Sequence, residues 1–147
     1  MRKVLLVGAA LVLVMAACSS SGDDSGDDGD GGEAPVELQG TVNDEGGIGE
    51  VSNSEIEMEL DDFYFGPTFA QTEGGNPVTV SLFNEGETQH TFTIDSLDVD
   101  EVLQPDATVE VEVTLPESGA VRYYCRFHAD QGMQGAFYAN AGDTVED

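Results

Sequence analysis

From Thr108 to Leu115 the chain reads TVEVEVTL, with Val109, Val111, Val113 and Leu115 alternating strictly with Glu110, Glu112 and Thr114. That pattern suits a strand with one buried face, because successive side chains on a strand point to opposite sides. On a helix the same residues would spread apolar groups and carboxylates around the whole circumference. EIEMELDDF repeats the pattern, with Ile56, Met58 and Leu60 opposed to Glu55, Glu57 and Glu59. PVTVSLFN offers Val78, Val80 and Leu82 inward, and AVRYYCRF and GAFYA add two runs rich in aromatic and β-branched residues. The turn-forming stretches EGGNP, NEGE, QPDA and LPESG separate these runs at short intervals. A 3.6-residue period is absent, apart from one turn in HADQGM. The spacing predicts an all-β fold over residues 55–139, an antiparallel sandwich or barrel. Its core is small by area, so a bound metal would add useful stability.

The flanks read differently. Met1-Arg2-Lys3 is a short basic start, Val4 to Met15 an apolar run of twelve residues, and Ala16-Ala17 stand before Cys18. Residues 1–17 are therefore an export signal, too short to remain as a membrane span. The end of LVLVMAAC resembles the lipobox of bacterial lipoproteins, which implies cleavage before Cys18 and its lipidation. Met15 stands where leucine is usual, and an ordinary signal peptide is the alternative. From Ser19 to Ser54 there are ten acids, nine glycines and no bases in 36 residues. Such a composition buries too little to offset ordering entropy, so residues 18–54 are expected as a solvated, lipid-anchored tether. As a coil it would span about 30–36 Å. PVELQGTV within it is extended enough for a loose edge strand. Residues 140–147 read as an acidic tail.

With the signal removed, Arg122 and Arg126 are the only bases, against 30 acids. That surface repels nucleic acid and anionic lipid headgroups and attracts basic partners at low salt. Solubility in a saline habitat explains it equally well. Export also predicts an oxidising compartment, where a lone thiol oxidises unless it is buried or held by a metal. If Cys18 carries lipid, Cys125 is that thiol.

Cys125 lies in YYCRFHADQGMQG, followed by His128 and Met133; the second histidine, His90, opens HTFTI. His90 shares parity with Phe92 and Ile94, and Cys125 with Val121 and Tyr123, so both point to the expected core. Singly, each has a plainer reading: a satisfied buried histidine, an inert thiol, a core-filling methionine. Together, one thiolate, two imidazoles and a thioether describe the donor set of a blue copper site. Zinc fits poorly, since structural sites want four Cys or His ligands. Calcium and magnesium need clustered oxygens, and the acids here alternate outward. A cysteine hydrolase would pair Cys125 with His128, but no oxyanion motif or helix N-terminus supports it.

Residues 55–139 resemble the cupredoxins, most closely the plastocyanin and halocyanin group. Three stretches carry the resemblance: NEGETQHTFTI, YYCRFH and GMQG. It implies a Greek-key β-sandwich holding one type 1 copper, with His90, Cys125 and His128 equatorial and Met133 axial. It further implies electron paths through Tyr124 and through the exposed edge of His128. Thr91 stands where the family often has asparagine, and Phe127 where plastocyanins often have proline. Arg126 stands inside the ligand loop, free to pair with Asp130 or, with Phe127, to face a partner.

The expected protein is a monomeric, membrane-tethered copper carrier outside the cytoplasm. It is not an enzyme; it exchanges single electrons with redox proteins that carry basic docking faces, and it touches the membrane through its N-terminal lipid alone. Copper storage or delivery, and a non-redox binding module, are the alternatives.

Overall fold

The computed structural model describes residues 33–145. Cys18, the export signal, the first part of the expected tether, and Glu146 and Asp147 lie outside the described residues. Among the described residues, ten strands form two sheets. The first sheet contains β1 (Ile48–Glu50), β4 (Phe69–Gln71), β10 (Gln134–Tyr138), β9 (Ala120–Tyr124), β6 (His90–Ile94) and β7 (Val99–Leu103), in that order. The second runs β3 (Tyr64–Gly66), β2 (Glu55–Asp61), β5 (Pro77–Asn84), β8 (Thr108–Thr114). This is the expected β-sandwich, with mixed rather than purely antiparallel pairing. β2 runs parallel to β5, and β4 runs parallel to both β1 and β10. Parallel neighbours need a crossover. β3 and β4 supply it for β2 and β5, carrying the chain from the second sheet to the first.

Period-two patterning sets the register of the second sheet. Met58 sits opposite Leu82, and Val80 opposite both Ile56 and Val111, while Glu57, Ser81 and Glu110 form a row on the other face. A slip of one residue would turn the carboxylates of β2 and β8 into the core. Between the sheets the largest side chains are aromatic. Phe65 packs edge-on against Tyr123 at 5.2 Å and against Phe92 at 6.2 Å, and Tyr123 meets Phe137 at 5.0 Å. Tyr123 is wholly buried, and its hydroxyl lies 2.9 Å from the carbonyls of both Pro67 and Thr68, so its polar end is satisfied.

The sandwich begins before Glu55, a correction to the tether expected there. PVELQGTV is not a strand, but β1 follows it and pairs with β4 from Ile48↔Phe69 to Glu50↔Gln71. Val36, only 1% exposed, joins Phe69, Ala120, Ala136 and Tyr138 in a second apolar cluster, with Leu38, Val42 and Val145 packed against it. β10 explains why this layer exists. Phe137 faces the main core, while its neighbours Ala136 and Tyr138 face the second cluster, so all five residues of the strand are buried. Val145 also bridges to Ala120, so the described part of the acidic tail lies against the sheet. Composition averaged over residues 18–54 dilutes Val36, Leu38 and Val42 among glycines and acids.

Val36→Ala is therefore expected to lower stability by about 1–3 kcal/mol, from lost methyl burial and the cavity left behind. In a solvated tether the same change would fall within about 0.5 kcal/mol of zero. Urea denaturation of the full chain distinguishes the two.

Candidate metal centre

Three chain segments meet at one end of the sandwich. β6 opens with His90, which is fully buried. β9 ends at Tyr124, and Cys125 follows with no exposed surface. A loop then closes on its own backbone. The N–H groups of His128 and Ala129 donate to the Cys125 carbonyl, a 3-10 turn covers Ala129–Gln131, and the Met133 N–H returns to the His128 carbonyl at 3.2 Å. The Cys125 N–H donates to the Met133 carbonyl at 3.0 Å, seating both ends of the loop where β9 and β10 begin to pair. Gly132 makes the turn possible at φ +96°, where a Cβ would also meet the Asn43 nitrogen at 2.9 Å. The segment before Glu55 thus touches this loop: the Asn43 N–H donates to the Gly132 carbonyl at 2.8 Å, and the Gln134 amide donates to the carbonyls of Gln39 and Thr41.

The side chains converge. His90 Nδ1 lies 3.1 Å from His128 Nδ1 and 3.9 Å from Cys125 Sγ, and His128 Nδ1 lies 3.4 Å from the same sulfur. The circle through three such atoms has a radius of about 2 Å, in the range of metal–nitrogen and metal–sulfur bonds. These are the only three residues among those described that group as metal-binding His, Cys, Asp or Glu side chains. Met133, fully buried, belongs to the same core cluster as Cys125. One thiolate, two imidazoles and a thioether make an arrangement compatible with a type 1 copper site.

The local electrostatics favour a thiolate at Cys125 and a neutral imidazole at His128, but the charged form of His90, whose proton a metal would have to displace. Burial alone would push the Cys125 thiol up, but its bond to His90 and the N–H groups of Thr91 and Phe127 outweigh that and hold it below its ordinary range. Burial presses His90 down, and the bonds to Cys125 and Asp62 reverse this to a net rise. Burial, then the neighbouring His90 charge, holds His128 low.

Thr91 ties the segments together. Its N–H donates to Cys125 Sγ at 3.3 Å, and its hydroxyl oxygen accepts from the Arg126 N–H at 2.8 Å. That hydroxyl is hydrogen-bonded to Thr93, which donates to Asp100. Arg126 pairs with the same carboxylate, Nε to Oδ1 at 2.7 Å, and not with Asp130. β7 delivers Asp100 opposite Thr93 in the ladder, a placement that sequence proximity does not suggest. Phe127 is 47% exposed, with the Arg126 guanidinium 5.2 Å from its ring centre. Tyr124 is half-buried and donates to the Asp95 carboxylate, while the Arg122 guanidinium lies 4.3 Å from its ring centre.

Two neighbours of the site were not read from the sequence. Phe63 packs at a tilt against the His128 ring, centroids 4.4 Å apart, and Asp62 Oδ1 lies 2.8 Å from His90 Nε2. Both sit in DDFYF, directly after β2, and nothing in that stretch marks a partner 28 residues away in the chain.

The chain matches the family model of the cupredoxin-like domain over residues 8–137. No curated protein matches it in sequence. Among solved structures, dithionite-reduced auracyanin from the photosynthetic bacterium Roseiflexus castenholzii is similar, at 16% identity and a TM-score of 0.52, covering 60% of this chain and 98% of its own. The metal-binding domain of the Cu(I)-exporting P-type ATPase CopA of Streptococcus pneumoniae, with Cu(I), is similar at 16% identity and a TM-score of 0.54, covering 67% of this chain and 96% of its own. Auracyanin A, a blue copper protein of Chloroflexus aurantiacus, matches at 20% identity and a TM-score of 0.48, covering 58% and 98%. At these identities the likeness is one of fold.

Thr91→Val should cost the metal-free protein about 1–3 kcal/mol, because the partly buried Arg126 N–H loses its acceptor. Thr91→Ser should restore most of it. Denaturation midpoints of the three proteins test the hydroxyl against mere side-chain volume.

Proposed function

The chain belongs to the cupredoxin-like domain family, and on that premise we propose that it is a mononuclear type 1 copper protein that carries single electrons between redox partners outside the cytoplasm. The observation that supports this most is the buried triangle of His90 Nδ1, Cys125 Sγ and His128 Nδ1. In this reading those three atoms hold the copper and Met133 is the weak fourth ligand. Bound copper supplies a one-electron couple between Cu(I) and Cu(II). The chain's own residues hold the donors in place, keep bulk water from the thiolate and present a contact face. Cys125 is fully buried, so its sulfur offers no approach for a substrate, which argues against a hydrolase.

Two routes lead outward. Tyr124 is covalently next to Cys125 and reaches Asp95 near the surface. His128 lies between Phe63 and the exposed Phe127. Arg126, neutralised by Asp100, would sit at the edge of a docking face otherwise dominated by acids, suited to basic partners. No helix among the described residues is long and apolar enough to cross a membrane. The membrane link we propose is a lipid on Cys18, with the acidic Gly- and Ser-rich residues after it as the tether and the domain acting as a monomer.

Copper storage or delivery is the second reading, prompted by the Cu(I)-exporter domain among the similar structures. Delivery proteins display spare soft ligands. The described residues have none at the surface: Met58 and Met133 are fully buried, and both histidines are in the cluster.

The test uses the full chain with Cys18→Ser, so that Cys125 is the sole thiol. Titration with Cu(II) should bring up an intense thiolate-to-copper absorption that saturates at one copper per chain and bleaches reversibly on reduction. Cys125→Ser should abolish it. A weak spectrum with loosely held copper would remove electron transfer. Electron exchange with a basic carrier protein should slow as ionic strength rises from about 0.01 M to about 0.15 M, because the Debye length falls from about 30 to about 8 Å.

A further inference from the structure

The two histidines of the cluster are held in different ways. Among the described residues no protein group is hydrogen-bonded to His128 through Nε2; its recorded polar contacts are made by Nδ1. His90 presents Nδ1 to the cluster and gives Nε2 to Asp62 Oδ1 at 2.8 Å. A carboxylate brings no proton to this bond, so Nε2 carries it. In a neutral imidazole, Nδ1 is then left with a bare lone pair aimed at His128 and Cys125.

Asp62 is itself fixed. Its Oδ1 also accepts from the Thr88 hydroxyl at 2.9 Å, and its Oδ2 from the Glu87 N–H at 3.1 Å. The loop that delivers these donors leaves space for the pair. A Cβ at Gly86 would meet Asp62 Oδ1 at 2.6 Å and His90 Nε2 at 2.8 Å. Gly86, Glu87 and Thr88 thus surround a carboxylate–imidazole bond whose far nitrogen faces the metal cluster. A carboxylate in that place orients a ligand and raises its basicity. With the Cys125 thiolate it also sets two negative charges beside the site, which match a doubly charged ion better than a singly charged one.

We propose that Asp62 is a positioning residue: it locks His90 in the Nε2–H tautomer and biases the centre toward Cu(II) over Cu(I). The inference rests on the copper reading above and adds the group that tunes it.

The experiment compares the full Cys18→Ser chain with Asp62→Asn, Asp62→Ala and Gly86→Ala. Nitrogen–proton NMR of the metal-free proteins reports the His90 tautomer and the exchange rate of its Nε2 proton. Competition against chelators specific for each oxidation state gives both copper affinities. The parent should show a single tautomer with a slowly exchanging proton. Asp62→Ala should speed that exchange and weaken Cu(II) binding about 10–100-fold, with a smaller loss for Cu(I). Asp62→Asn keeps the size and an acceptor oxygen, so it should retain the tautomer yet lose part of the Cu(II) preference. Gly86→Ala should move both readouts in the direction of Asp62→Ala.

Equal Cu(II)-to-Cu(I) affinity ratios in all four proteins would overturn the tuning role. An Nε2 proton exchanging equally fast in the parent and in Asp62→Ala would overturn the positioning role. If the parent binds no copper through a thiolate, the copper reading fails and the tuning role with it, while the metal-free NMR still decides whether Asp62 holds His90.

Discussion

The site depends on how β6 is fastened to the chain leaving β9. Those strands share one recorded ladder pair, Thr93↔Tyr124, and beyond it the regular sheet bonding stops. The two bonds of Thr91 replace it: N–H to the Cys125 sulfur, and hydroxyl oxygen from the Arg126 N–H. They set the cysteine beside the histidine that precedes Thr91. Backbone sheet hydrogen bonds alone would not do this, because a ladder leaves side chains on adjacent strands free to choose rotamers. A bond that ends on the sulfur itself removes that freedom. Thr93 and Asp100 complete the support of the Thr91 hydroxyl.

Rigidity at the loop comes from both sides of the first sheet. Inside, Phe65, Phe92, Tyr123 and Phe137 fill the space between sheets with edge-on and tilted contacts. Outside, residues 36–43 lie over β10 and bond to Gly132 and Gln134, the residues on either side of Met133. A methionine is a flexible side chain and a weak donor, so its position rests on the backbone that bears it. The outer layer therefore contributes to the site as well as to stability. Any tether to a membrane would enter the domain through a segment that also clamps this loop.

Much of this was legible, and the misses share a cause. Alternation in EIEMELD, PVTVSLFN and TVEVEVT marked β2, β5 and β8, because each has one face in the core and one in water. Parity likewise placed His90 and Cys125 inward, and both are fully buried. β3 and β4, at three residues each, are too short to show a period. The outer layer was missed because Val36, Leu38 and Val42 bury against a surface that only the folded sheet creates. The Asp100 partner of Arg126 and the Asp62 partner of His90 were invisible for a related reason. Each comes from a distant strand or loop, and an exposed-looking acid in a chain with 30 of them carries no local mark.

The contrast between the two histidines also suggests how such a centre can combine constraint with access. His90 is anchored to Asp62 through Nε2 and sealed from solvent, so its ring has little room to move when charge changes nearby. His128 is partly exposed, and the rings that flank it, Phe63 and Phe127, are apolar and cannot supply a competing hydrogen bond. Immobility of the donors limits the reorganisation that accompanies a change of metal charge. Partial exposure of one ring shortens the distance to a partner. One buried, charge-anchored histidine and one apolar-capped, accessible histidine meet both demands at once. The carboxylates of β2 and β8 lie on the solvent faces of those strands, so Asp62, bonded to His90, is the acid that bears on the cluster directly.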